Sequence, residues 1–178
     1  MVNLYYKQSV IRNELNKELE TMLSQAFELC EDGNHLEALK LYDSVIQKDP
    51  QNINALINKA VTLQGLDKVN QAIRLYDKAL KINPNNIDAL INKGSALHTL
   101  EKYLEAIMCY DLAIKIDKKC AMALAYKGLS LGEMGNLNDA IKHFKKALSI
   151  DQDYDLANIS KKLAQDLLKN SRKKSKTV

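Results

Sequence analysis

Tryptophan is absent from the chain, and proline stands at only two places, Pro50 and Pro84. With six glycines among 178 residues, few positions interrupt a helical ladder. No apolar run approaches the roughly 20 residues that a membrane-crossing helix needs, so no membrane insertion is expected. The opening stretch, MVNLYYKQSVIRNELNKE, has neither the apolar core nor the small-residue cleavage site of a secretory leader. The three cysteines, Cys30, Cys109 and Cys120, are odd in number and widely spaced. That fits neither a disulfide framework nor a metal site, and the expected compartment is a reducing cytoplasm. HExxH, CxxC, phosphate-loop and dinucleotide patterns are missing. His35, His98 and His143 are far apart in the chain. No catalytic residue, metal or cofactor is therefore expected.

What remains is rich in Ala, Leu, Lys, Ile and Asn, and 46% hydrophobic. Such a chain has enough apolar surface to fold, and its Ala, Leu and Lys favour helix. The net charge is +4, yet Lys169, Arg172, Lys173, Lys174 and Lys176 alone carry five positive charges, leaving residues 1–168 at −1. The basic balance belongs to the end of the chain and not to its body, which argues against a nucleic-acid-binding surface.

The body is periodic. Asn54-Ala55-Leu56-Ile57-Asn58-Lys59-Ala60 returns 34 residues later as Asp88-Ala89-Leu90-Ile91-Asn92-Lys93-Gly94. In that frame the units are 19–52, 53–86, 87–120 and 121–154. Their eighth residues are Ala26, Ala60, Gly94 and Gly128, and their twentieth are Ala38, Ala72, Ala106 and Ala140. Small residues at fixed places let two helices cross closely, where larger ones would overpack the contact. Tyr42, Tyr76, Tyr110 and Phe144 share the twenty-fourth place, and are expected to fill the wider gap before the next unit. Each unit reads as two helices joined by a polar turn, with Asn70 and Asn138 as candidate caps of second helices. Pro50 and Pro84 end the first two second helices. Lys118 and Gln152 stand at the same place in the later units, so a less sharp ending is expected there.

These residues resemble the tetratricopeptide repeat family, whose units are 34-residue helical hairpins. Leu56, Leu90 and Leu124 stand where that family often has Trp, and Val45 replaces an Ala. The resemblance implies an all-α, right-handed superhelical solenoid of four hairpins. Residues 155–169 are expected to form a capping helix that packs through Leu156, Ile159, Leu163 and Leu167. Residues 1–18 are expected to be a helical N-terminal segment, and 170–178 a disordered basic tail.

In that family the first helix of each unit lines a concave groove. The resemblance places Leu23 and Phe27 of the first unit there, with Asn54, Ile57, Asn58 and Val61 of the second. The third unit adds Asp88, Ile91, Asn92, Ser95 and His98, and the fourth adds Met122, Tyr126 and Leu129. Asn58 and Asn92 occupy equivalent places, and amides offer both donors and an acceptor to an extended peptide backbone. The family's two-carboxylate clamp for chaperone tails needs Lys and Asn, then Asn, then Lys and Arg. Here those places hold Leu23, Phe27, Asn58, Asp88 and Asn92, so no such clamp is expected. Lys59, Lys93 and Lys127 form one in-register charged row, and Asp43, Asp77 and Asp111 another; both read as solvated faces.

The function expected from this is a non-catalytic adaptor holding a peptide or helix of another protein. The alternatives are a homo-oligomeric scaffold, motivated by Tyr5, Tyr6, Val10 and Ile11, and binding of nucleic acid or an anionic surface by the basic tail. The last is the weakest of the three.

Overall fold

A computed structural model describes the backbone of residues 2–174 and the side chains of residues 10–170. Tyr5, Tyr6 and the basic side chains Arg172, Lys173, Lys174 and Lys176 lie outside the described side chains. Every regular element among the described residues is an α-helix. The chain divides into two compact units, 1–82 and 83–178.

The first unit contains α1 (Val2–Glu31), α2 (His35–Lys48), α3 (Ile53–Gly65) and α4 (Val69–Ile82). Helices α1 and α2 form one hairpin, and α3 and α4 the next. Ala26, Ala38 and Tyr42 make the buried centre of the first hairpin, and Leu19, Val45 and Ala55 join it to α3. On α4 the buried residues Val69, Ala72, Tyr76 and Ala79 fall on one stripe, as a helix with one packed side requires.

The second unit contains α5 (Ile87–Thr99), α6 (Tyr103–Ile116), α7 (Ala121–Glu133), α8 (Leu137–Ile150) and α9 (Asp155–Lys174). Two hairpins, α5–α6 and α7–α8, are followed by a single helix packed on α8. At Gly94 a Cβ would lie 2.5 Å from Cε1 of Tyr110 as the ring now stands, and one at Gly128 would lie 2.7 Å from Cε1 of Phe144. The rings of Tyr110 and Phe144 therefore seat over the eighth residue of their own hairpins, and Tyr110 also meets Tyr126 of the next repeat, on the side where the gap was expected. The small residue makes room for a ring as well as for a helix crossing.

Two further repeat positions set the geometry. The fifteenth residue of each unit, Gly33, Asp67, Glu101 and Gly135, has φ between 59° and 78°. Beside it, an amide one residue on reaches back to close the first helix: Asn34 to Leu29, Lys68 to Leu63, Lys102 to Leu97 and Asn136 to Leu131, at 2.7–2.9 Å. The thirty-first residue, Asp49, Asn83, Asp117 or Asp151, accepts from the amide two residues on, at 2.9–3.2 Å.

That local turn explains a departure from expectation. All four second helices end at the same repeat position, Lys48, Ile82, Ile116 and Ile150, with or without a following proline. The later pair do not end less sharply, because the side-chain turn stops the helix by itself. The caps also differ from those expected. Asn70 and Asn138 lie inside the first turns of α4 and α8. The working caps are Asn52 and Asn86, whose Oδ1 atoms accept from the amides of Ala55 and Ala89 at 3.0 and 2.8 Å.

The last helix corrects two further expectations. It runs on to Lys174, so residues 170–174 are helical and not part of a disordered tail. Its packed side is Ala157 and Ala164, which join Phe144, Ala140 and Ala147 in the core. Ile159, Leu163 and Leu167 are 68%, 61% and 49% exposed. Small side chains seat α9 closely on α8, and the larger stripe faces solvent.

Candidate functional site

The candidate residues lie on the first helices of the hairpins, and each unit presents its own face. In the first unit, Phe27 on α1 is 58% exposed and Val61 on α3 is 46% exposed. Asn54 is exposed and Asn58 is half-buried. Leu23 is half-buried and packs into both core clusters of this unit, so it supports the surface more than it offers contact. Ile57 is buried. Leu23 and Asn54, with Asn16, Leu19, Glu20 and Asn52, line a depression of about 140 Å³.

Ile91 is also buried, and Asn92 and Ser95 are half-buried on α5. Asp88 is exposed in the first turn of that helix, where a carboxylate suits the helix dipole. Burial of Ile57 and Ile91 removes two of the apolar contacts expected of a groove. They sit one residue from the most buried line of their helices, and the core takes them.

His98 is held from several sides. Its Nδ1 lies 2.9 Å from Oγ of Ser130, a fully buried residue of α7. Its ring meets Tyr103 edge-on, with centroids 5.2 Å apart. Burial lowers the His98 pKa below its usual value, against a weaker upward pull from Glu133. The sequence reading offered His98 to a ligand; the structure uses one of its nitrogens to join α5 to α7. The first unit has a counterpart at the same two repeat positions: Cys30 Sγ lies 3.3 Å from Thr62 Oγ1. Tyr42, within 3.9 Å of that thiol, has its phenol pKa raised, chiefly by burial.

In the second unit, apolar side chains of α7 and α9 meet around one surface cavity. Met122 is 47% exposed. Tyr126 is half-buried, its ring tilted at 48° to that of Tyr110 with centroids 5.9 Å apart. Leu129 lines a cavity of about 170 Å³ with Phe144, Ser160, Leu163 and Leu167. Continuing the 34-residue frame past Tyr154 puts Ile159, Leu163 and Leu167 at the fifth, ninth and thirteenth places of a further unit. Those are the places assigned to groove contacts elsewhere, so the repeat frame carried the signal. Helical spacing alone shows that α9 has an apolar stripe, not which side its neighbour covers.

The charged rows are partly ion pairs between hairpins. Lys59 pairs with Asp43 in the first unit. Lys127 pairs with Asp111 at 2.5 Å in the second. The Asp partners are exposed, so each pair contributes about 0–1 kcal/mol. Among the described residues, no group of three or more His, Cys, Asp or Glu side chains is placed to hold a metal ion. Nor is any described helix long and apolar enough to cross a membrane.

The tetratricopeptide repeat pattern matches residues 29–89, 75–108 and 121–154. No curated protein matches the chain in sequence. Among solved structures, a crystal structure of MamA protein aligns with TM-score 0.73 at 24% identity, covering 85% of this chain and 82% of that one. A tetratricopeptide repeat protein from Parabacteroides merdae aligns with TM-score 0.74 at 20% identity, covering 86% of this chain and 61% of that one. The first TPR of Spaghetti (RPAP3), bound to the HSP90 peptide SRMEEVD, aligns with TM-score 0.64 at 22% identity, covering 67% of this chain and 95% of that one. At these identities the likenesses show the fold. With its 34-residue hairpins, its recurrent small and aromatic positions and these matches, the chain belongs to the tetratricopeptide repeat family, a non-catalytic scaffold fold that mediates protein–protein contacts.

Proposed function

We propose that the chain is an adaptor that binds a peptide or helix of a partner protein along its first helices. The observation that carries this reading is the solvent-facing apolar surface of α7 and α9. Met122, Ile159, Leu163 and Leu167 are each about half exposed or more. Tyr126 and Leu129 lie on α7 beside them, half-buried. Leu129, Leu163 and Leu167 line one cavity there, and exposed apolar patches mark interaction sites. An amphipathic helix laid on such a face would anchor through residues spaced three and four apart. Asn58 in the first unit and Asn92 in the second are each an amide position that would bond to a peptide backbone on its own unit.

The Spaghetti domain is bound to the HSP90 peptide SRMEEVD. We propose a different ligand here. The clamp positions hold Leu23, Phe27, Asn58, Asp88 and Asn92. They supply no cation for a terminal carboxylate, and Asp88 would repel it. The compartment that suits the three cysteines is the cytoplasm.

The test compares the intact chain with Tyr126→Ala/Leu163→Ser, and separately with Asn58→Ala/Asn92→Ala, in quantitative capture from native lysate. Helicity and thermal midpoint are followed in parallel. Partners should be lost from the first variant at unchanged helicity and weakened in the second. Equal retention by all three proteins would reject binding on these faces. Loss of binding on adding the free peptide SRMEEVD would instead support a carboxylate clamp.

A further inference from the structure

The second helices should be apolar only on their inner sides, and α6 is not. Its inner side is complete: Ala106, Cys109, Tyr110 and Ala113 are buried. On its outer side Leu104, Met108, Leu112 and Ile116 follow at intervals of four and are 66%, 67%, 51% and 41% exposed. At the places of Leu104, Met108 and Leu112, α8 carries Asn138, Lys142 and Lys146, and α4 carries Asn70, Arg74 and Lys78. Leu104, Met108 and Leu112 thus depart from α4 and α8, and of their counterparts on α2 only Leu36 is apolar, whereas Ile116 follows the repeat, with Ile82 and Ile150 at its place.

The stripe is also self-complementary. About a centre at Tyr110, Leu104 mirrors Ile116, Met108 mirrors Leu112, and Glu105 mirrors Lys115. Glu105 and Lys115 are exposed on either side of the stripe. Just beyond the helix, Glu101 mirrors Lys119 in the same register. We infer that the outer face of α6 pairs with α6 of a second copy of this chain, antiparallel about a twofold axis. That arrangement sets Met108 against Leu112, and each Glu105 against Lys115 of the other copy.

An isologous contact uses one patch twice, so self-complementarity of sequence is what a twofold pairing requires and what a foreign partner would not require. Opposite charges flanking an apolar seam fix helix direction, because the parallel arrangement sets Glu105 near Glu105. The pair Lys102 and Lys118 is like-charged in this register, but it lies eight residues from the centre and, by helix periodicity, about 100° off the stripe. Glu105 now lies 3.6 Å from Lys102 on the exposed surface, a contact it would exchange at little cost. A depression of about 370 Å³ beside Tyr103, Leu104 and Met134 adjoins the place that receives the second copy's Ile116. Burying roughly 100 Å² per side chain, roughly 800 Å² over both copies, gives a small interface, so a reversible dimer is expected.

Sedimentation equilibrium of the full chain, from micromolar to millimolar concentration, reads the association directly. The wild type should pass from monomer to dimer. Met108→Lys/Leu112→Lys copies the residues of α8, which fold at those places, and should weaken association at least tenfold at unchanged helicity. Glu105→Lys and Lys115→Glu should each weaken self-association, and mixing the two variants should restore it as a heterodimer. Tyr126→Ala/Leu163→Ser should dimerise like wild type, which separates this face from the proposed adaptor surface. A wild type that stays monomeric throughout overturns the inference, whether or not the stripe binds another protein. A dimer indifferent to the lysine substitutions, or one not rescued by mixing, overturns it equally.

Discussion

Helices α6 and α8 occupy equivalent places in consecutive hairpins, and they agree on one side while differing on the other. Inside, Ala106, Tyr110 and Ala113 of α6 correspond to Ala140, Phe144 and Ala147 of α8, and all six are buried. Outside, Leu104, Met108 and Leu112 correspond to Asn138, Lys142 and Lys146. The inner side is fixed by packing, where a change of one carbon is felt. The outer side answers only to solvent and to partners. A repeat protein makes these two demands separable, because each position has internal controls in the other units.

The largest effects should come from breaking the shared side. Tyr110→Ala and Phe144→Ala should each cost about 3–5 kcal/mol in urea unfolding, from lost burial plus a cavity. Their costs should be similar, since each ring seats over a glycine in its own hairpin. A clearly smaller loss for Tyr110 would show that the two inner sides are not equivalent.

The polar link between α5 and α7 should be felt next. Ser130→Ala leaves the His98 nitrogen without its buried partner and should cost about 1–3 kcal/mol. The link also sets a pH dependence. Burial lowers the pKa of His98, and chiefly burial lowers that of His143. The unfolded chain therefore binds more protons at these rings than the folded one does. Their contribution is complete above about pH 6.5 and is lost as pH falls below that value. His98→Gln should flatten part of that decline in thermal melts taken across it; an unchanged slope would assign the decline elsewhere.

Smaller changes sharpen the comparison at the turns. Asn52 and Asn86 cap α3 and α5, but Cys120 at the same repeat position makes no side-chain cap bond to α7. Cys120→Asn should stabilise by about 0.5–1 kcal/mol. Glu101 holds the left-handed conformation that Gly135 holds in the next hairpin. Glu101→Gly should therefore gain about 0.5 kcal/mol, the relief of strain being offset by greater freedom of the unfolded chain. The smallest effect belongs to the side that differs. Met108→Lys/Leu112→Lys should alter unfolding of the dilute protein by less than about 0.5 kcal/mol.

Much of this was legible because the repeat prints each requirement several times. Ala38, Ala72, Ala106 and Ala140 announce a close crossing, and Tyr42, Tyr76, Tyr110 and Phe144 a large buried ring. Pro50 and Pro84 are the conspicuous residues at the endings of the second helices, yet they do not set those endings. The operative residues precede them: Asp49, Asn83, Asp117 and Asp151 differ little and occur in all four units. On α9 hydrophobicity points to the wrong side, because Ile159, Leu163 and Leu167 form the more hydrophobic stripe and are exposed. Close packing selected the smaller Ala157 and Ala164 instead. The pairing of His98 with Ser130 spans 32 residues and has no local signature. It becomes visible only as the twelfth place of one unit meeting the tenth of the next, as Cys30 meets Thr62. Ile57 and Ile91 were assigned to a groove by repeat position, whereas burial is decided by what packs above them.

The central claim is that the first-helix faces, and α7 with α9 above all, receive a partner. The most direct measurement is the fraction of each native partner captured by wild type and by Tyr126→Ala/Leu163→Ser at matched helicity. The account predicts that at least one partner is retained by wild type and lost from the variant, while Met108→Lys/Leu112→Lys retains it. Equal capture by wild type and the α7–α9 variant would contradict the account and place binding elsewhere on the chain.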